Sequence, residues 1–218
     1  MRAVLTPALG ALGFVALWWL ATALRVADPV LLPPPSEAFR DTWAAFTHGT
    51  LGWDTWRTVQ RTALSFAIAC VVGVPLGVAL GAAERVYRGV EFVVDFFRST
   101  PASALFPLFL ILFGPGEGTK VAVGASRLRV LTDVLMWEAL PQILVGMRAG
   151  VSLALVIVVV AEMFIGSTDG LGHRVINAQM LFESGLMYGA IFVAGALGYG
   201  LNLLFLVLEK RFVHWAGK

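Results

Sequence analysis

Charge is missing from this chain in long blocks, and those blocks decide what it can fold into. Between Arg2 and Arg25 lie 22 residues without Asp, Glu, Lys or Arg, and between Arg61 and Glu84 lie another 22. Eighteen separate Arg98 from Glu117, 13 separate Arg148 from Glu162, and 25 separate Glu183 from Glu209. A helix needs about 20 apolar residues to cross the hydrocarbon core, so the blocks yield five candidate spans. The fourth reaches that length when extended back through Ala139, with Arg148 snorkelling to the interface. The third is the poorest, interrupted by Pro101, Pro107 and Pro115. Only 14% of the residues are charged and 58% are hydrophobic, whereas soluble domains carry roughly a quarter charged residues. The expected fold class is therefore all-α, a polytopic membrane protein with about five transmembrane helices in one domain over residues 1–218.

The same composition excludes several functions. Net charge is +2, but basic residues in a membrane chain report topology, so nucleic acid is not an expected partner. The single Cys70 lies inside an apolar run and offers no disulfide framework. His48, His173 and His214 are far apart and lack metal-ligand spacing, so no metal site is expected. "GPGEGTK", residues 114–120, departs from a phosphate-binding loop, which needs four residues between its glycines and then Gly-Lys-Ser/Thr. Nucleotide binding is not expected, and neither a nucleophile–base pair nor a cofactor signature is recognisable. The chain reads as no enzyme. At the N-terminus, Ala21-Thr22-Ala23 has the form of a signal-peptidase site, but the further apolar runs favour an uncleaved first span.

Residues 25–61 form a polar stretch between the first two spans, expected to be an external loop with an amphipathic helix. Pro33, Pro34 and Pro35 open it, Ser36 is the expected N-cap of the helix, and Trp43, Trp53 and Trp56 suit a headgroup zone. Glycines recur at four-residue intervals at 73, 77 and 81, at 146 and 150, and at 185 and 189. That spacing lets helices approach closely in a bilayer. Loop 84–98 carries Arg85, Arg88 and Arg98, and loop 117–138 carries Lys120, Arg127 and Arg129. The positive-inside rule makes both cytoplasmic. Residues 162–183 hold Arg174 against Glu162, Asp169 and Glu183 and read as external, while Lys210, Arg211 and Lys218 make the tail cytoplasmic. Two consecutive cytoplasmic loops conflict with a single crossing between Arg98 and Arg127. Two crossings need about 40 residues, and 28 are present. Either the region is a re-entrant hairpin or a span is absent.

Seven segments carry a resemblance: "LLPPPSEAF", "GVPLGVALG", "FFRSTPASALFPLFLILFGPGEGTK", "GASRLRVL", "ALPQILVGMRAG", "VVVAEM" and "GLGHRVINAQ". In order and over nearly the whole chain they resemble the permease subunit of bacterial ABC importers, in the branch handling nitrate, taurine and aliphatic sulfonates. The resemblance implies six spans, an inner-membrane location, a likeness to homodimeric permeases, a separate ABC ATPase and a periplasmic substrate-binding protein. It also implies a cytoplasmic coupling helix that docks on the ATPase, here Gly124, Ala125, Ser126, Arg127 and Leu128 within a coupling loop 124–141. The family's Glu-Ala-Ala segment and nearly all of its fourth span are missing, since "KVAV" runs directly into "GASRL". Met136-Trp137 stands where the family has its first Leu-Pro. The charge count and the resemblance point to the same loss.

Physically, residues 126–138 fit an interfacial helix, capped by Ser126, with Leu128, Leu131 and Leu135 on one side and Arg129 one turn from Asp133. Without the resemblance a helix lying on the membrane explains them equally. Glu162 ends "VIVVVAE" near the external end of its span. An intramembrane acid suggests a functional position, so Glu162 is the candidate translocation-path residue, the alternative being an acid that reaches headgroup water. "GSTDGLG", residues 166–172, is expected to be an external glycine-rich turn before a short apolar helix. The implied function is import of small organic anions by alternating access. The alternative is a non-transporting, internally deleted remnant.

Overall fold

The computed structural model describes residues 2–82, 84–101, 111 and 136–212. Among them are seven helices and no strand: α1 Arg2–Ala23, α2 Pro35–Thr47, α3 Leu51–Ala82, α4 Glu84–Ser99, α5 Met136–Phe164, α6 Leu171–Met180 and α7 Ser184–Phe212. The all-α polytopic class is as the sequence implies. Three helices are long and apolar enough to cross a membrane, at Leu51–Gly77, Gly146–Phe164 and Ser184–Leu208, and Leu9–Ala23 forms a shorter apolar helix. The expected third span and the segment Gly124–Leu128 lie outside the described residues.

At 32 residues, α3 is about 48 Å long at 1.5 Å per residue. That exceeds the roughly 30 Å hydrocarbon core, so the helix projects beyond it. The charged boundary at Arg61 therefore does not start the helix, which begins ten residues earlier, at Leu51. Pro75 sits inside α3 without ending it. A helix flanked by neighbours in a membrane tolerates the lost hydrogen bond. Likewise α5 already begins at Met136.

One end of the bundle gathers the segments read as external. The 25–50 connection, α2, the turn 165–170 and α6 lie together beside the starts of α3 and α7. Ser184 Oγ donates to the Val30 carbonyl, and Trp18 Nε1 of α1 donates to the Pro33 carbonyl at 3.1 Å. Trp18 also stacks on Phe192 of α7 at a centroid distance of 5.2 Å. Ser36 does not cap α2. The helix starts at Pro35 with Pro34 at the cap and no capping side chain, because a proline ring presets φ for the first helical position and its missing N–H is not needed there.

Of the four-spaced glycines, Gly185 and Gly189 have a clear packing role. A Cβ at Gly185 would collide with the Asp41 carboxylate, and one at Gly189 with the Thr42 hydroxyl. Those two bare positions let α2 lie directly on α7. Packing is centred on α5, whose Val151, Ala154, Leu155, Ile157, Val158 and Ala161 are buried. Of its apolar window 44% is buried within the chain, against 6% for α7, so α7 needs lipid or another chain to cover it. Helix α4 was read only as a charged loop. It forms because Arg85, Arg88, Glu91 and Asp95 alternate with Val90, Val93 and Phe96 at helical spacing, and Phe92 and Phe96 are exposed.

Candidate functional site

On α3, Asp54, Thr58, Arg61, Thr62 and Ser65 recur at intervals of three and four residues, which places them on one face. All five are buried. A polar ladder in a membrane helix must find partners, because hydrocarbon supplies none. For Asp54, Thr58 and Arg61 the partners come from α5 and from the turn 165–170 with α6, whereas the buried hydroxyls of Thr62 and Ser65 have none among the described residues.

Glu162 is the centre. It lies one turn from the outer end of α5 and is 1% exposed. Arg61 Nη1 donates to its Oε1 at 2.6 Å, Thr58 Oγ1 donates to its Oε2 at 2.8 Å, and the Gly172 N–H donates to Oε2 at 3.0 Å. Arg61, itself 2% exposed, also donates through Nη1 to the Asp169 carbonyl at 2.9 Å and through Nη2 to the Asp169 carboxylate. One guanidinium thus bridges a span and the external turn. Its planar fork of donors suits such a shared arrangement.

The first turn of α6 draws three of its hydrogen bonds from outside the helix. Its leading N–H groups have no intrahelical acceptors. The Gly170 N–H donates to Asp54 Oδ1 at 2.9 Å, the Leu171 N–H to Thr58 Oγ1 at 2.8 Å, and the Gly172 N–H to Glu162. Two carboxylates at a helix N-terminus also complement its dipole. Arg174, on α6, returns to α3 by donating from Nε to Asp54 Oδ2 at 2.9 Å. Gly170 has φ +110°, a backbone conformation open to glycine, and a Cβ there would strike the Glu162 carboxylate. At Gly172 a Cβ would strike the Val159 carbonyl oxygen. The two glycines of "GLG" are thus what lets the turn close over Glu162.

Asp169 is more open than Glu162, and Arg57 Nε also donates to it, at 3.2 Å. Burial pushes its carboxyl up, but the hydrogen-bonded Arg61 and the nearby Arg57 outweigh burial and hold it below the ordinary carboxylate value. Toward the opposite end of α5, Arg148 Nε donates to Asn202 Oδ1 of α7 at 2.6 Å. That half-buried contact stands where snorkelling was expected.

Of the sequence candidates, Glu162 is therefore held by partners within the chain, and Gly124, Ala125, Ser126, Arg127 and Leu128 fall outside the described residues. Asp54, Thr58, Arg61, Asp169 and Arg174 were not singled out. Their visible signal was the repeat of Asp54, Thr58 and Arg61 on one helical face. It was obscured because these charges were counted as loop residues when topology was assigned.

No family model matches the chain. It is 27% identical over 240 aligned positions to the taurine transport system permease protein TauC of Escherichia coli, covering 94% of this chain and 87% of that protein. It is 25% identical to the putative aliphatic sulfonates transport permease protein SsuC of Bacillus subtilis, covering 99% of this chain and 87% of the relative. To the nitrate import permease protein NrtB of Synechococcus elongatus it is also 25% identical, covering 94% and 85%. The alignment with TauC is longer than the whole 218-residue chain. Since 94% of the chain is about 205 residues, about 35 positions of that alignment fall opposite gaps in this sequence.

Proposed function

We infer, for a chain whose relatives along most of its length are ABC transporter permeases, that it is the membrane-spanning permease subunit of an ATP-driven importer of small organic anions. The observation that carries this reading is the similarity to the taurine, sulfonate and nitrate permeases over more than nine-tenths of the chain. Substrate passes by alternating access. ATP is hydrolysed by a separate ATPase at the inner side of the bacterial inner membrane, and a periplasmic substrate-binding protein delivers the anion at the end that carries α2 and α6. Two copies of the chain form the pathway, and the exposed apolar face of α7 suits lipid or the second copy. Gly124, Ala125, Ser126, Arg127 and Leu128 grip the ATPase, and Glu162 belongs to the wall at the outer end of the path.

Co-expression with the ATPase encoded beside it tests this directly. The ATPase is expected to co-purify with the chain and to be released by Leu128→Asp, which puts a charge on the docking side of the helix. Failure of the intact chain to retain any such ATPase contradicts the reading.

A second reading has an observation of its own. The alignment gaps, together with two consecutive cytoplasmic loops, favour a chain that lacks one span and transports nothing. A reporter fused after Gly124 separates the two. A cytoplasmic signal supports coupling, and an external signal leaves the ATPase unable to reach residues 124–128.

A further inference from the structure

We propose that Arg61 is a positioning residue of the permease, the shared cation that welds the outer ends of α3, α5 and α6 into one body. On this account, which rests on the permease reading above, the segment 166–180 travels with the two spans during transport and is not a flap that opens away from them.

Four observations converge on this. Arg61 donates to acceptors on two separate segments, Glu162 of α5 and both the carbonyl and carboxylate of Asp169. Three leading N–H groups of α6, those of Gly170, Leu171 and Gly172, are taken by side chains of α3 and α5. Gly170 and Gly172 leave no room for even a methyl group between the turn and α5. On its other flank α6 is held by apolar contact, where Leu171 and Val175 join Leu51 of α3 and Ala190 of α7 in one buried cluster. Lifting α6 and its leading turn away would part the buried Arg61 from both of its Asp169 acceptors and leave the N–H groups of Gly170, Leu171 and Gly172 without theirs. Removing one member of a buried ion pair is strongly destabilising because the other charge is left uncompensated, and separating the members by motion carries the same penalty. The alternative would be a loose flap, and such a flap has no use for a buried cation with three acceptors.

The experiment uses the full chain in spheroplasts, with Cys70→Ser removing the only cysteine and Ala178→Cys reporting from the buried side of α6, where Ala178 is 1% exposed. A membrane-impermeant maleimide is expected to label position 178 slowly in this background. Arg61→Ala is expected to speed labelling at least tenfold, Arg61→Lys to recover most of the protection, and Arg40→Ala on the exposed face of α2 to change nothing. Arg61→Met combined with Glu162→Met is expected to label more slowly than Arg61→Met alone, a non-additivity that packing alone does not produce. Equal labelling with and without Arg61 overturns the proposal, because α6 is then held by apolar contact only. Fast labelling of the background chain that rises further with ATP also overturns it, because α6 then opens as a flap. If Arg61→Ala does not accumulate in the membrane, Asp169→Asn carries the same test, with intermediate labelling expected and unchanged labelling contradictory. Uptake of labelled taurine, alkanesulfonate and nitrate by the unsubstituted chain is measured in parallel. Its absence with the partner subunits present defeats the permease reading, while the labelling ratios still decide the weld.

Discussion

The two ends of this bundle are held by different physics. At the outer end, α3, α5 and α6 are joined by a buried network in which Arg61, Glu162, Thr58 and Asp54 each serve more than one partner. Toward the opposite end, the described contacts are of another kind. α5 and α7 are tied by Arg148 and Asn202, and α4 presents Phe92 and Phe96 outward. A buried ion pair separates only at high cost, whereas a half-buried hydrogen bond and apolar surfaces re-pair readily with lipid or protein. The contrast separates a section cemented by buried charge from one that a half-buried polar contact and apolar surface hold.

The largest effect should come from breaking the network on one side only. Glu162→Ala removes the buried carboxylate that accepts from Arg61 and is expected to destabilise the chain by about 3–5 kcal/mol, read by denaturant titration in detergent. Next, Gly172→Ala drives a methyl group against the Val159 carbonyl oxygen. The expected loss is about 1–3 kcal/mol, the usual range for overpacking. At the opposite end, Asn202→Ala removes one acceptor of the half-buried Arg148 guanidinium. About 1 kcal/mol is expected, clearly less than at Glu162; an equal loss at the two ends would erase the contrast.

Acid supplies a smaller and reversible probe. The Asp169 carboxyl sits below its ordinary value of 3.8 in the fold, so its contribution is complete above that unfolded-state value and disappears as pH falls through the lower folded one. Being partly exposed, it contributes modestly. Unfolding midpoints measured on acidification should fall in this acid range for the native chain, and Asp169→Asn should flatten that part of the profile.

Much of this architecture could be read directly because hydrophobic block length is a one-dimensional property. Charge-free runs located α1, α3, α5 and α7, and "GSTDGLG" announced a turn followed by the short helix α6. What escaped the sequence was three-dimensional. Arg61 looked like the polar edge of a span, since nothing local says that Glu162, 101 residues away, will meet it. Similarly, α4 is hidden because its six charges in 16 residues resemble a cytoplasmic loop as closely as an amphipathic helix. The proline at 35 displaced Ser36 as the start of α2 for a local steric reason. Glu162 stood out because an acid after 13 apolar or small residues is anomalous, although its partners could not be deduced.

The most direct measurement is ATP-dependent uptake by proteoliposomes containing this chain, the neighbouring ATPase and a substrate-binding protein, with labelled taurine as the probe. The account predicts uptake that requires both ATP and the binding protein and that is lost with Leu128→Asp. A fully assembled complex that hydrolyses ATP yet moves no taurine, sulfonate, nitrate or other small anion would contradict it.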